Sequence, residues 1–205
     1  MFVRFPALRN PRRNPAKVPV QLLTRSTLDA VGQAYTTQKK VPKRNPDAAV
    51  LRDFMLDAGI ETLPGMPAIE RGSTLHRWIV WDAALSAESV PQKPMGEAAI
   101  YSARSWVADP SHSNAVTALD AAWECVYESH SPAAMAARYA ASAPVSDLPY
   151  RPYDSAFNAS LARRSPTSTA EKAGDAANIR VRVLAALYAV GALPEPPVQR
   201  HNPRR

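Results

Sequence analysis

The residues of this sequence best placed to do chemistry are three carboxylates at regular spacing. Asp120, Glu124 and Glu128 recur every fourth residue, so a helix would align them on one face. A divalent cation would need further ligands from another helix, such as Glu97 or Asp82. We predict no metal site here. The stripe is either a solvated acidic face or a face on which a cationic segment docks, including this chain's own N-terminal segment.

Nucleophilic and phosphate-binding motifs are not found. Cys125 and His130 are five residues apart, which puts them on different faces of a helix, and no basic cluster surrounds the thiol to lower its pKa. We therefore expect Cys125 to be a buried, unreactive side chain. The histidines lack ligand spacing, and the seven glycines form no phosphate loop. We predict no catalytic residue, no cofactor and no enzymatic activity.

In the segment from His76 to Asp82, Trp78 and Trp81 are three residues apart and Arg77 precedes them. Tryptophan and arginine are common anchors in protein interfaces. Aromatic side chains are also the main contributors to core burial. We interpret this segment as a core edge, with one tryptophan inside and one near the surface.

Positive charge is concentrated at the two ends of the chain. The net charge is +7. The first 46 residues contain ten Lys/Arg and a single acid, Asp29, and the last eight residues add +3, whereas residues 47–197 carry −5. Such asymmetry is typical of segments that meet a polyanion or an acidic surface, although solubilising tails would look the same. The candidate binding residues are Arg9, Arg12, Arg13, Lys17, Lys39, Lys40, Lys43, Arg44, Arg204 and Arg205.

A short proline motif recurs in these basic regions. Arg-Asn-Pro occurs at 9–11, 13–15 and 44–46, and Asn-Pro-Arg-Arg occurs at 10–13 and 202–205. Proline removes a backbone donor and favours extended conformations in the residue before it. We predict an extended basic arm over residues 1–21 and a basic tail over 194–205.

Between the two basic ends, the sequence has the start and stop signals of α-helices. Capping patterns and 3.6-residue apolar periodicity predict an all-α bundle of about six to eight helices. We expect short helices and a loop over 22–72, an alanine- and tryptophan-rich core over 73–143, and C-terminal helices over 154–193 that pack on it. The predicted helix starts are Ser26, Asn45-Pro46, Ser73, Pro94, Ser113, Ser131-Pro132, Phe157 and the capping box Ser168–Glu171.

Two predicted stripes locate the buried faces of the longest helices. The helix from Ser113 should bury Val116, Leu119, Ala122, Trp123 and Val126, and the last helix should bury Ile179, Val183, Leu184, Leu187 and Tyr188. Arg180 and Arg182 on the last helix are too few for a DNA recognition helix.

The compartment follows from what the sequence lacks. No run approaches the ~20 apolar residues of a membrane span, and no secretory signal is present. The single cysteine excludes an intramolecular disulfide and a cysteine-based zinc site. We expect a cytoplasmic protein, or a virion protein if a phage encodes it, with no membrane partner.

Residues 73–143 resemble a family of alanine-rich helical immunity proteins. The similarity lies in a tryptophan-bearing first helix (75–84), a second element (99–107) similar to the family's A-x-x-A-R-x-W helix, and alanine-rich helices at 118–123 and 132–140. The basic arm and the C-terminal helix are additions, and the family's later histidine-bearing stretch is missing. The resemblance implies a non-enzymatic helical binder and specifies neither partner nor site residue.

Two functions are compatible with these observations. The first is a non-enzymatic protein-interaction protein, immunity- or adaptor-like, that binds another protein or its own subunits with help from the cationic ends. The alternative is a nucleic-acid-associated or virion structural protein whose Asn-Pro-Arg ends contact phosphates or neighbouring subunits.

Overall fold

The computed structural model describes residues 16–128 and 130–197, with the side chain of Glu128 left out. Within these ranges the chain forms eight α-helices and no strand, which confirms the predicted all-α bundle. Two short 3₁₀ turns lie at Val20–Leu22 and Ala143–Val145. The helices are α1 (Arg25–Thr37), α2 (Pro46–Asp57), α3 (Thr74–Glu88), α4 (Pro94–Ala108), α5 (His112–Glu128), α6 (Pro132–Ser142), α7 (Arg151–Ala162) and α8 (Thr167–Ala189).

Several helix starts follow the predicted caps. The side chains of Asn45, Ser73 and Ser131 accept hydrogen bonds from the backbone N–H three residues on, at Ala48, His76 and Ala134. Each satisfies an otherwise unpaired donor of the first helical turn. Pro46, Pro94 and Pro132 occupy the first turn, where a missing N–H costs nothing.

Three other starts differ from the prediction. The first helix begins earlier, because Thr24 and not Ser26 provides the cap, accepting from the N–H of Thr27. The last helix begins directly after Pro166 without a side-chain cap. The seventh helix starts at Arg151, before the predicted start at Phe157, because Pro152 lies in the first turn of the helix and is tolerated there.

Two apolar cores are joined by α3. The first core contains Leu28, Met55, Trp78 and Leu184, from α1, α2, the first half of α3 and the second half of α8. The second core lies among the second half of α3 and α4 to α7, and buries mostly alanine together with Trp106. The side chain of Trp81 contacts both cores. Helix α3 is therefore the element that both halves of the bundle share.

Helices α1 and α8 approach closely at Gly32. A Cβ added there would lie 1.9 Å from Cγ2 of Ile179, which no side chain tolerates without movement. Glycine at this position therefore permits the contact that brings the polar residues of α1 next to those of α8.

Both ends of the described chain pack more than the sequence predicted. Val18, assigned to the extended arm over 1–21, is 1 % exposed, and its N–H donates to the carbonyl of Ala192 at 3.0 Å. Pro194, assigned to the basic tail, accepts a 2.7 Å hydrogen bond from Nε1 of Trp78. Val18 and Pro194 thus pack on the body, and residues 1–15 of the predicted arm and 198–205 of the predicted tail lie outside the described residues. In the described part, no helix has the length and apolar character to cross a membrane.

Candidate interaction surface

The outward face of α5 carries aromatic and acidic side chains together. Tyr127 is 86 % exposed, Trp123 50 % and Val116 41 %, and Asp120 and Glu124 are exposed on the same helix. We call these five residues the α5 face. An exposed apolar group of this size, bordered by charge, is characteristic of a binding surface.

This arrangement corrects the predicted stripe of α5. Ala122 is buried as predicted, but Val116 and Trp123 are exposed, and the small side chains of Ala115, Ala118 and Cys125 are buried in their place. Close packing against α4 and α6 requires these small residues. The larger residues of the helix are turned outward as a result.

Arginines from neighbouring elements border the exposed tryptophan. The guanidinium carbon of Arg138 lies 5.3 Å from the Trp123 ring centroid and 5.8 Å from that of Tyr139. Arg151 lies 5.4 Å from the Tyr139 ring. These are cation–π distances, so a guanidinium already occupies one side of the Trp123 ring.

The predicted acidic stripe is present in part. Asp120 and Glu124 make no hydrogen bond or ion pair with another described residue, and the side chain of Glu128 lies outside the described part. The ligands proposed to complete a metal site are elsewhere: Asp82 is buried beneath Arg180, and Glu97 is exposed on α4. No group of three His, Cys, Asp or Glu side chains comes together in the described ranges.

The basic candidates fall into two sets. Lys39, Lys40, Lys43 and Arg44 are exposed in the loop between α1 and α2, and Lys17 is exposed near the start of the described chain. None of these five has an ion pair to another described residue. The candidates that lie outside the described residues are Arg9, Arg12, Arg13, Arg204 and Arg205.

The histidine and cysteine candidates have structural surroundings. Cys125 is 1 % exposed, and its Sγ donates to the carbonyl of Ala134 at 3.3 Å, as expected for a core cysteine. His76 is fully buried against Trp106, with ring centroids 4.7 Å apart. Its Nδ1 accepts from the N–H of Gly72, and its Nε2 donates to the carbonyl of Ala143. Burial lowers the pKa of His76, which keeps the ring neutral.

The predicted core edge of α3 has the expected arrangement. Trp78 is 1 % exposed, and Trp81 is half-buried beside it with ring centroids 5.1 Å apart. Arg77 is mostly buried and forms an ion pair with the exposed Glu195. This segment therefore ties the C-terminal residues to α3.

The sequence analysis missed a buried charge network between α1, α3 and α8. Arg180 is 4 % exposed, and two of its nitrogens donate to the two carboxylate oxygens of Asp82, Nε at 2.9 Å and Nη2 at 3.0 Å. Its Nη1 donates to Asp29 at 3.0 Å. On the other side of Asp82, Nη2 of Arg25 donates to its backbone carbonyl at 2.6 Å and to Oγ of Ser86 at 2.7 Å.

The pKa values in this network have physical causes of opposite sign. Burial alone would lower the pKa of Arg180, but the adjacent carboxylates of Asp82 and Asp29 outweigh it and raise that pKa. Burial also raises the pKa of Asp29, and Arg180 opposes that shift. For Arg25, burial lowers the pKa while Asp82 opposes. The network is thus held in its charged form by mutual pairing.

A sequence signal for this network did exist. Arg180 is in helical phase with Leu184 and Leu187, and Asp82 is in phase with Trp78 and Ile79. One charge of each sign on two apolar faces is a pattern that burial tolerates only when the charges pair.

Comparisons with known proteins give no family for this chain. No family model matches the sequence, and neither a curated protein nor a solved structure matches the chain.

Proposed function

We propose that this chain is a non-enzymatic interaction protein whose α5 face binds an arginine-bearing segment of a partner protein. The observation that carries the proposal is the exposure of Trp123 and Tyr127 beside two carboxylates that have no cation among the described residues. Large aromatic side chains at the surface are the usual anchors of protein interfaces.

The chemistry of the face selects a cationic occupant. A guanidinium can stack on Tyr127 or on the ring of Trp123, as Arg138 does within the chain. It can also donate two hydrogen bonds to one carboxylate, either Asp120 or Glu124. A partner with acidic side chains would meet repulsion at the same positions.

The resemblance of residues 73–143 to immunity proteins supports the same reading. Those residues contain α3 to α6, and the α5 face lies within them. The resemblance implies a helical binder without catalysis, and the α5 face exposes two aromatic side chains of that segment, Trp123 and Tyr127.

A peptide titration tests the proposal. The probe is a synthetic peptide with the sequence of residues 1–15, which carries four arginines, titrated into the protein by calorimetry. The double change Asp120→Asn and Glu124→Gln should weaken binding about tenfold or more, because each removed charge-assisted hydrogen bond is worth roughly 1.5–3 kcal/mol. The same peptide with its arginines replaced by alanine should not bind.

A matched control distinguishes local chemistry from net charge. Asp53 and Asp57 are exposed acids on α2 without ion pairs to described residues, so Asp53→Asn with Asp57→Asn removes the same charge from a different helix. Its affinity for the peptide should equal that of the unchanged protein. No binding at all, or equal weakening by both double variants, would contradict the proposal.

The loop between α1 and α2 favours a second function. Lys39, Lys40, Lys43 and Arg44 expose four cations within six residues, which is a suitable contact for nucleic-acid phosphates. If this loop binds, replacing Lys39 and Lys40 by alanine should reduce the slope of log affinity against log salt by about 0.9 per lost contact. Lys172→Ala, an exposed change on α8, should leave that slope unchanged in a gel-retardation series.

A further inference from the structure

A pocket of about 230 Å³ opens where α1, α3, α7 and α8 meet. Its walls on α7 and α8 are alanines, and its polar lining consists of Arg25, Arg163, Arg180, Asp29, Ser86 and Ser89. The volume is several times the roughly 30 Å³ that one water occupies. Three members of the buried charge network thus line the pocket, and three arginines in its lining face one carboxylate, that of Asp29.

The arginines at this pocket are not fully matched by acids. Both carboxylate oxygens of Asp82 and one of Asp29 accept from Arg180. Arg25 is left with a 3.4 Å ion pair to Asp82 and with bonds to neutral oxygens. Arg25 and Arg180 are thus balanced by Asp82 and Asp29, and Arg163, which also lines the pocket, leaves an excess of one positive charge there.

Arg163 supplies a second donor group at the rim. Its Nη1 donates to Oγ of Ser89 at 2.8 Å, and it has no ion pair with a described acid. Mutual repulsion between Arg25 and Arg163 adds to the burial that lowers the pKa of Arg25. An anion between the two guanidinium groups would relieve that repulsion.

Small side chains create the space for such an anion. Ala156 and Ala159 on α7 face Ala173 and Ala176 on α8 across the pocket. The hydroxyls of Ser86 and Ser89 already donate to the carbonyls of Asp82 and Ser86. The guanidinium nitrogens therefore remain as the main donors for a bound group.

We propose that this pocket binds a phosphate group, held between the guanidinium groups of Arg25 and Arg163. A phosphate has enough oxygens to accept from both arginines at once, and its double negative charge matches two cations better than a carboxylate does. The group is either free phosphate or a phosphate monoester whose small substituent lies along the alanine walls.

Thermal unfolding and calorimetry with inorganic phosphate test the proposal. At constant ionic strength, phosphate should raise the melting temperature in a saturable way, because a ligand that binds only the native state stabilises it. Arg163→Ala should weaken phosphate binding about tenfold or more while the exposed position keeps the fold intact. Ala173→Leu should abolish binding by filling the pocket without changing any charge.

Two controls make the result decisive. Lys172→Ala removes one exposed cation from the residue next to Ala173 and should bind phosphate as the unchanged protein does. Methyl phosphate in a parallel titration tests the monoester source, and acetate tests a carboxylate. The proposal is overturned if phosphate gives no saturable shift, if Lys172→Ala weakens binding as much as Arg163→Ala, or if acetate binds as tightly as phosphate. Saturable binding of either phosphate, lost in both pocket variants, supports it.

Discussion

Helix α8 places an unusual residue in the interior of the bundle, whereas helix α5 places unusual residues at its surface. Helix α8 buries an arginine, Arg180, among leucines and valines, whereas α5 exposes a tryptophan and a tyrosine to solvent. The buried arginine has three bonds to two carboxylates, while the exposed acids on α5 have none within the described residues. The comparison shows that α8 uses its charge for contacts within the bundle, whereas the acids of α5 make no such contact within the described residues.

The largest expected effect comes from removing the buried arginine. Arg180→Leu should lower the free energy of unfolding by about 3–5 kcal/mol, because it leaves the buried carboxylate of Asp82 with only its 3.4 Å ion pair to Arg25. Changing Asp82 to Leu in the same chain should recover part of that loss, since the most buried carboxylate of the network is then removed as well. Urea unfolding followed by circular dichroism measures both values. If Arg180→Leu costs less than about 1 kcal/mol, α8 is not held by this network.

A smaller effect is expected at His76, another buried polar group of α3. Burial lowers its pKa in the folded state, so between about pH 6.5 and that lower value the unfolded chain binds a proton that the native protein does not. The free energy of unfolding should therefore fall as the pH falls through this window, by up to about 1.4 kcal/mol per pH unit. His76→Gln should flatten this dependence in urea unfolding at successive pH values.

An exposed histidine provides the reference for that measurement. His112 lies at the surface at the start of α5, and His112→Gln should retain the slope of the unchanged protein. An unaltered slope in His76→Gln would mean that the buried ring does not control the acid response.

The smallest expected effect is on the stability of the α5 face. Trp123→Ala combined with Tyr127→Ala should change the free energy of unfolding by only about 1 kcal/mol or less, because these side chains are exposed and lose little beyond the Arg138 contact. Trp78→Ala, by comparison, should cost about 3–5 kcal/mol because that ring is fully buried. Similar losses in the two variants would assign Trp123 to the core and end its proposed role.

Local signals in the sequence predicted the helices well. Caps and first-turn prolines such as Asn45, Ser73 and Pro94 act within one turn, so adjacent residues contain the information. The orientation of α5 could not be obtained in this way. Alanine and tryptophan are both apolar, and only the close approach of α4 and α6 decides that Ala118 and Ala122 point inward while Trp123 points outward.

The acidic stripe of α5 and the buried charge network also differ in whether a local sequence pattern reveals them. The acidic stripe with Asp120 and Glu124 is visible in four-residue spacing because it lies on one helix. The network of Arg180 with Asp29 and Asp82 joins residues 98 and 151 positions apart, so no local pattern reveals which charges meet. A charged residue at a buried position of an apolar helix face shows only that it needs an oppositely charged partner, and does not show which one.

The position of α3 has a consequence for how this protein comes apart. Its first half packs in one apolar cluster and its second half in the other. Unfolding of either cluster would therefore expose half of helix α3 to solvent. We therefore expect the two cores to unfold together in one cooperative step.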